Sequence, residues 1–265
     1  MSDYSRFEKV LAHQDGRLLT LRFNRPDNMN AIDGGVHEDL DALIALIRKD
    51  DSVGAVLLRG EGRAFCAGGD IKMMSAATPT AVERVGSILG SRELLYSMLA
   101  IEQPIIAAVQ GFALGLGATI ALFCDIVVAA EDAYFADTHV NVGLVAGDGG
   151  AVLWPLLLPF GQAKYHLLTG DRITGTDAAR MGMIHKAVPA DQLLDEATAV
   201  ARRLADGPTL ALKWTKKAVN QVLRERLDLI LEIGLALEGA TFLSDDFKEA
   251  SSAFIEKRKP TFTGR

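Results

Sequence analysis

The chain has 265 residues, 49% of them apolar, and a formal net charge of −6. That length suits one α/β domain with a helical extension, and an acidic balance with no basic block ahead of the C-terminal tail argues against nucleic acid as a partner. No apolar run reaches the roughly 20 residues of a membrane span, Met1 to Val10 is too polar for a secretory signal, and Cys66 and Cys124 sit among small apolar residues, as expected of buried thiols in a reducing cytoplasm.

In chain order, Arg17 to Phe23 alternates as a first strand, and Val36 to Arg48 carries Leu40, Leu43, Ile44 and Ile47 at helical spacing. Val53 to Leu58 is an apolar strand that ends in the turn Gly60-Glu61-Gly62. Thr78 to Ile101 is expected to be helical, with Pro79 near its first turn. Gln103 to Gln110 is a buried strand, Ile120 to Phe123 a helix and Ile126 to Ala130 a further strand. Gly149 to Leu158, Ala163 to Thr169 and Thr176 to Met181 are expected helices. Longer ones follow at Ala190 to Ala205, Leu210 to Leu227 and Leu229 to Leu243, with a break at Gly207-Pro208.

Two stretches carry chemistry. Ala64-Phe65-Cys66-Ala67-Gly68-Gly69-Asp70-Ile71-Lys72 follows a strand, and its small residues let backbone approach a ligand. Asp70 is suited to opening a short helix. Alone, the stretch also reads as a glycine-rich turn with a helix cap. In the second, Gly111-Phe112-Ala113-Leu114-Gly115-Leu116-Gly117, two glycines flank Leu116 and present its N–H at a helix start. Two strand–turn–helix units can supply the two N–H donors that an oxyanion needs.

These motifs resemble the enoyl-CoA hydratase/isomerase (crotonase) family. So do Asn24-Arg25-Pro26-Asp27-Asn28-Met29-Asn30-Ala31, Cys124-Asp125-Ile126, Leu168-Thr169-Gly170, Ala178 to Gly182 and the tail Phe254-Ile255-Glu256-Lys257-Arg258-Lys259. The resemblance implies a spiral of ββα repeats over residues 1–207 and a C-terminal helical trimerisation region over 208–265, in a homotrimer or a dimer of trimers. It implies acyl-CoA thioester substrates, with coenzyme A entering as part of the substrate and no separate cofactor. The oxyanion donors would be Gly69 and Leu116. Asn28, Asn30, Ala31, Ala67, Gly68, Asp70 and Ile71 would line the coenzyme A cleft, closed by Phe254 and Lys257 of a neighbouring subunit. Residues 73 to 95 would wall the acyl pocket. No Cys/His cluster has zinc-ligand spacing, so no metal is expected.

The chain departs from the family at the chemical centre. Where hydratases carry two glutamates, it has Thr119, a weak acid–base group suited to helix packing, and His139. Asp148, in the turn Gly147-Asp148-Gly149, is a candidate partner for His139 in a His–Asp dyad, or else a helix N-cap. This segment is similar to the carbon–carbon hydrolases of the 6-oxocamphor hydrolase type. There, Glu238 falls at an active-site glutamate and His37 at a histidine, but Leu116-Gly117 stand where a further histidine is expected. Three functions follow: an enzyme of acyl-CoA or enoyl-CoA thioesters with non-standard acid–base residues, slow on crotonyl-CoA; a β-diketone hydrolase using His139 and Asp148; and a non-enzymatic coenzyme A-binding protein.

Overall fold

A computed structural model describes residues 3–76 and 81–265. The chain opens on a hairpin: β1 (Val10–Asp15) turns at Gly16, whose φ is +58°, and pairs antiparallel with β2 (Leu18–Phe23). The strand expected to be first is therefore second. β3 (Ala55–Gly60), β4 (Ile105–Val109), β6 (Ile126–Ala130) and β9 (Lys186–Val188) extend the sheet in parallel, in the order β1-β2-β3-β4-β6-β9. β4 is buried along its whole length, as the apolar run Ile105 to Val109 requires of a strand covered on both faces.

A second row gives the spiral its pitch. After each of four central strands the chain makes a short parallel contact and then enters a helix. Ile32 precedes α1 (Gly34–Ile47) and bridges Gly69, which precedes α2 (Ile71–Ala76). Cys66 bridges Ala113 of β5 (Phe112–Leu114), which leads into α4 (Leu116–Phe123). β5 pairs with β7 (Tyr134–Ala136), ahead of α5 (Gly150–Leu157), and β8 (Ile173–Thr174) closes the row. Strand, short strand, helix thus recurs as the expected α/β spiral of ββα units. The short strands β5, β7, β8 and β9 carry too few residues for alternation to show in sequence.

Further helices cover this core: α3 (Ala81–Leu99), α6 (Phe160–Thr169), α7 (Gly175–Arg180) and α8 (Leu193–Ala205), which lies on β2, β3, β4 and β6. The expected start of α3 at Thr78 and Pro79 lies outside the described residues. The two helices expected from Leu210 to Leu243 are one, α9 (Thr209–Thr241), 33 residues long. No Gly or Pro interrupts it near Asp228. Instead Asp228 accepts from Tyr96 Oη at 2.6 Å and Glu232, one turn on, pairs with Arg92 at 2.5 Å, so this face is pinned to α3. Lys216 ties α9 to the sheet through Asp125 at 2.7 Å and the Gln103 carbonyl at 2.8 Å.

A final helix, α10 (Asp245–Glu256), ends at Lys257. Ser244 caps it by accepting from the Phe247 N–H, and α10 packs on α2. No described helix is long and apolar enough to cross a membrane.

Candidate active site

The glycine loop takes the form the sequence suggests. Gly68 has φ +84°, and its carbonyl accepts from Ile32 N–H at 2.8 Å. The Ile32 carbonyl in turn accepts from Asp70 N–H at 3.0 Å, so the bridge is made by residues 68 and 70 and leaves the Gly69 N–H out. Leu116 is the first residue of α4, where N–H groups lack intrahelical acceptors. A Cβ on Gly68 would lie 3.6 Å from Leu116 N, which brings the two turns side by side.

Several expected ligand residues also hold the loops together. The Asn30 side chain accepts from Arg25 N–H at 2.9 Å and donates to the carbonyls of Glu61 and Ala64, at 2.9 and 2.8 Å, so it is committed within the protein. Arg25 binds the Ala31 carbonyl and forms ion pairs with Asp33 and Asp70, at 3.1 and 3.2 Å. Asp70 also receives the Met73 N–H at 3.4 Å, at the start of α2. Asn28 is exposed at the end of a short turn, while Ala67 and Ile71 flank the glycine pair, half-buried. Phe254 and Lys257, expected from a neighbouring subunit, join Lys72 and Ile255 of the same chain around a cavity of about 580 Å³. Another cavity, of about 270 Å³, is lined by Arg48, Lys217 and Arg224 and by none of these residues. Of the expected acyl wall, Met74 reaches toward Gly69, Leu94 is instead in the core, and the side chains of Val82, Val85 and Ile88 lie outside the described set.

His139 begins a short 3-10 turn just after β7. Its ring is within 3.5 Å of where a Cβ on Gly115 would stand, one residue before the Leu116 N–H. His139 Nε2 is 3.2 Å from Asp148 Oδ2, so the expected pair forms. Asp148 is not the helix cap: Gly149 occupies that position, with φ +120° and no side-chain bond. The sequence reading missed Asp137. Its Oδ1 lies 2.7 Å from His139 Nδ1 and also accepts the His139 N–H at 3.3 Å. Its Oδ2 rests so close to Gly150 that a Cβ there would stand 2.0 Å away. The available signal was the Asp-x-His spacing at a strand end.

Glu238 arrives from α9. A Cβ on Gly147 would meet the Gly234 carbonyl at 2.3 Å and Glu238 Cβ at 2.8 Å. The two glycines thus let the Asp148 loop lie directly on the helix, one turn before Glu238. One ligand-type atom from each of His139, Asp148 and Glu238 lies within 4.8 Å of the others. Thr119 Oγ1 lies 3.5 Å from Asp148 Oδ1, and its methyl would block any side chain at Gly149, a packing role.

The electrostatics follow from burial. Desolvation opposes charge on His139, but the Asp148 and Asp137 carboxylates outweigh it and hold the imidazolium well above its ordinary range. Burial, then the Asp148 charge, pushes the Glu238 carboxyl from 4.5 up to about 8. Its Oε2 is buried with no hydrogen-bond partner. His37, on α1, is pushed down by burial, against Asp41, Asp148 and Asp33.

The ββα spiral defines a class of fold, and the comparisons agree. The profile "Enoyl-CoA hydratase/isomerase" matches residues 13–265. A short-chain-enoyl-CoA hydratase of Clostridium acetobutylicum is 34% identical over 94% of this chain and 95% of its own. The 1,2-epoxyphenylacetyl-CoA isomerase of Escherichia coli is 34% identical over 97% and 99%. The crystal structure of an enoyl-CoA hydratase/isomerase from Mycobacterium paratuberculosis superposes with a TM-score of 0.88 at 35% identity, over 92% of this chain and 97% of that one. The chain belongs to the enoyl-CoA hydratase/isomerase family.

Proposed function

We propose that this protein is an enzyme of acyl-CoA or enoyl-CoA thioesters that works through an enolate. The thioester oxygen binds the N–H groups of Gly69 and Leu116, and the His139–Asp148–Glu238 cluster moves protons at the adjacent carbons. The observation that carries this reading is the apposition of the two parts: the His139 ring packs on Gly115, next to a donor N–H. Held there, a carbonyl places its α-carbon beside the cluster, and donors aimed at developing charge lower the barrier. The thioester itself is supported by the relatives, whose names include a short-chain-enoyl-CoA hydratase and a 1,2-epoxyphenylacetyl-CoA isomerase.

Lys72 and Lys257, at the mouth of one cavity, suit the phosphates of coenzyme A, with Phe254 against the adenine. Leu227, Leu231 and Leu235 pack inside the chain, whereas Leu229, Ile233 and Leu237 are exposed at four-residue spacing on α9. We assign that stripe to the contact of a homotrimer, with residues 208–265 as its helical region. The test is turnover of a panel of saturated and α,β-unsaturated CoA thioesters beside free β-diketones. Turnover of a thioester, lost in Asp148→Asn, is expected. Turnover of the diketones alone would overturn the reading.

A further inference from the structure

Resting on that reading, we propose that His139 is a positioning cation rather than the base, and that Asp148 and Glu238 together form the acid–base pair. Both ring nitrogens of His139 face carboxylate oxygens, Nδ1 toward Asp137 at 2.7 Å and Nε2 toward Asp148 at 3.2 Å. A neutral imidazole has one N–H and one lone pair. The lone pair would point at a carboxylate oxygen, whereas an imidazolium donates to both. Neither nitrogen is then open to take a proton from substrate or water. The Asp137 side chain is 1% exposed; its Oδ1 meets His139, and its Oδ2 is buried against Gly150 with no hydrogen-bond partner.

Glu238 supplies what His139 cannot. It is 8% exposed, its Oε2 is buried without a partner, and one of its carboxylate oxygens lies within 4.8 Å of His139 and Asp148 ligand atoms. The groups facing His139 from the surrounding elements are Asp137, Asp148 and Glu238. His37 adds no second cation at neutral pH, because burial depresses it against Asp33, Asp41 and Asp148. Burial keeps Glu238 protonated up to about pH 8. Asp148, which faces His139 Nε2, and the protonated Glu238 carboxyl then lie beside the same point.

The step balances without a further reactant. The Asp148 carboxylate takes the thioester's Cα proton. The C–H electron pair forms the Cα=C bond of the enolate, and the carbonyl π pair moves to the oxygen held by the Gly69 and Leu116 N–H groups. Glu238 returns a proton to carbon as the enolate collapses, and the proton on Asp148 passes to Glu238, restoring both.

The test joins two measurements on the full chain. In nitrogen-15 NMR of the wild type, both His139 ring nitrogens are expected to be protonated at pH 7, where an exposed histidine has largely lost its proton. In Asp137→Asn the imidazole is expected to lose its proton at a lower pH than in the wild type. In kinetics, Glu238→Gln is expected to lower kcat by about 10²–10⁴-fold with little change in KM, and wild-type kcat to fall as pH rises through about 8. A neutral His139 in the wild type at pH 7, or a Glu238→Gln enzyme with wild-type kcat, would overturn the proposal. If no thioester is turned over, the proposed function fails, while the NMR still decides the state of His139.

Discussion

Replacing Glu238 with Gln is expected to stabilise the protein in a pH-dependent way. In the folded chain burial raises this carboxyl from 4.5 to about 8. Between those values the folded state keeps a proton that the unfolded state has released. Stability from this group is therefore full below about pH 4.5 and lost as pH rises toward 8. At pH 7 the gap to the unfolded value is worth on the order of 3 kcal/mol, at about 1.4 kcal/mol per unit. A Gln of the same shape carries no such cost, and its amide can donate to the neighbouring Asp148 carboxylate. Urea unfolding of both proteins at pH 5, 6, 7 and 8 measures the difference. The contribution of His139, present at low pH and lost as pH rises through its raised folded value, occurs in both proteins and largely cancels. The variant is expected to match the wild type near pH 5 and exceed it increasingly toward pH 8. A difference that does not change with pH would refute the reasoning.

Gly68→Ala is expected to cost about 1–3 kcal/mol, because its φ is +84° and the added Cβ would stand 2.6 Å from the Leu114 carbonyl; an unchanged Tm would contradict this. Acetyl-CoA or crotonyl-CoA is expected to raise the Tm of the wild type, since a ligand held by the native state stabilises it. Lys257→Ala is expected to reduce that rise while leaving the Tm of the free protein unchanged. Light scattering at micromolar protein is expected to give a trimer or its dimer, and Ile233→Asp, at an exposed position of α9, a lower mass with the far-UV spectrum retained.

The parts of the site built from contiguous residues were legible in sequence. Gly115-Leu116-Gly117 follows β5 directly and Gly68-Gly69 follows the short bridge at Cys66, so strand signal and glycine together mark the two turns. His139 and Asp148 were legible as a pair because one short segment carries both. What the sequence could not show is which ring nitrogen each carboxylate takes. Asp137 sits at the end of the three-residue strand β7, too short to show its alternation, and so escaped notice as the partner of Nδ1. Asp148 resembled a cap because an aspartate between glycines at a helix start usually is one, yet the contact of Gly147 with Gly234 turns the loop toward α9 instead. The continuity of α9 depends on Asp228 and Glu232 meeting Tyr96 and Arg92, more than 130 residues away in sequence. The last helix, by contrast, carried a readable signal in Ser244-Asp245-Asp246, a cap followed by an acidic first turn.

Hydrogen–deuterium exchange at the thioester α-carbon tests the central claim most directly, because it reports enolate formation whatever product follows. With a turned-over CoA thioester in deuterated buffer, proton NMR is expected to show enzyme-dependent deuterium at Cα. That incorporation is expected to be lost in Asp148→Asn and in Glu238→Gln, although both variants still bind the thioester. Turnover without deuterium at Cα, or equal incorporation in the variants, would contradict the account.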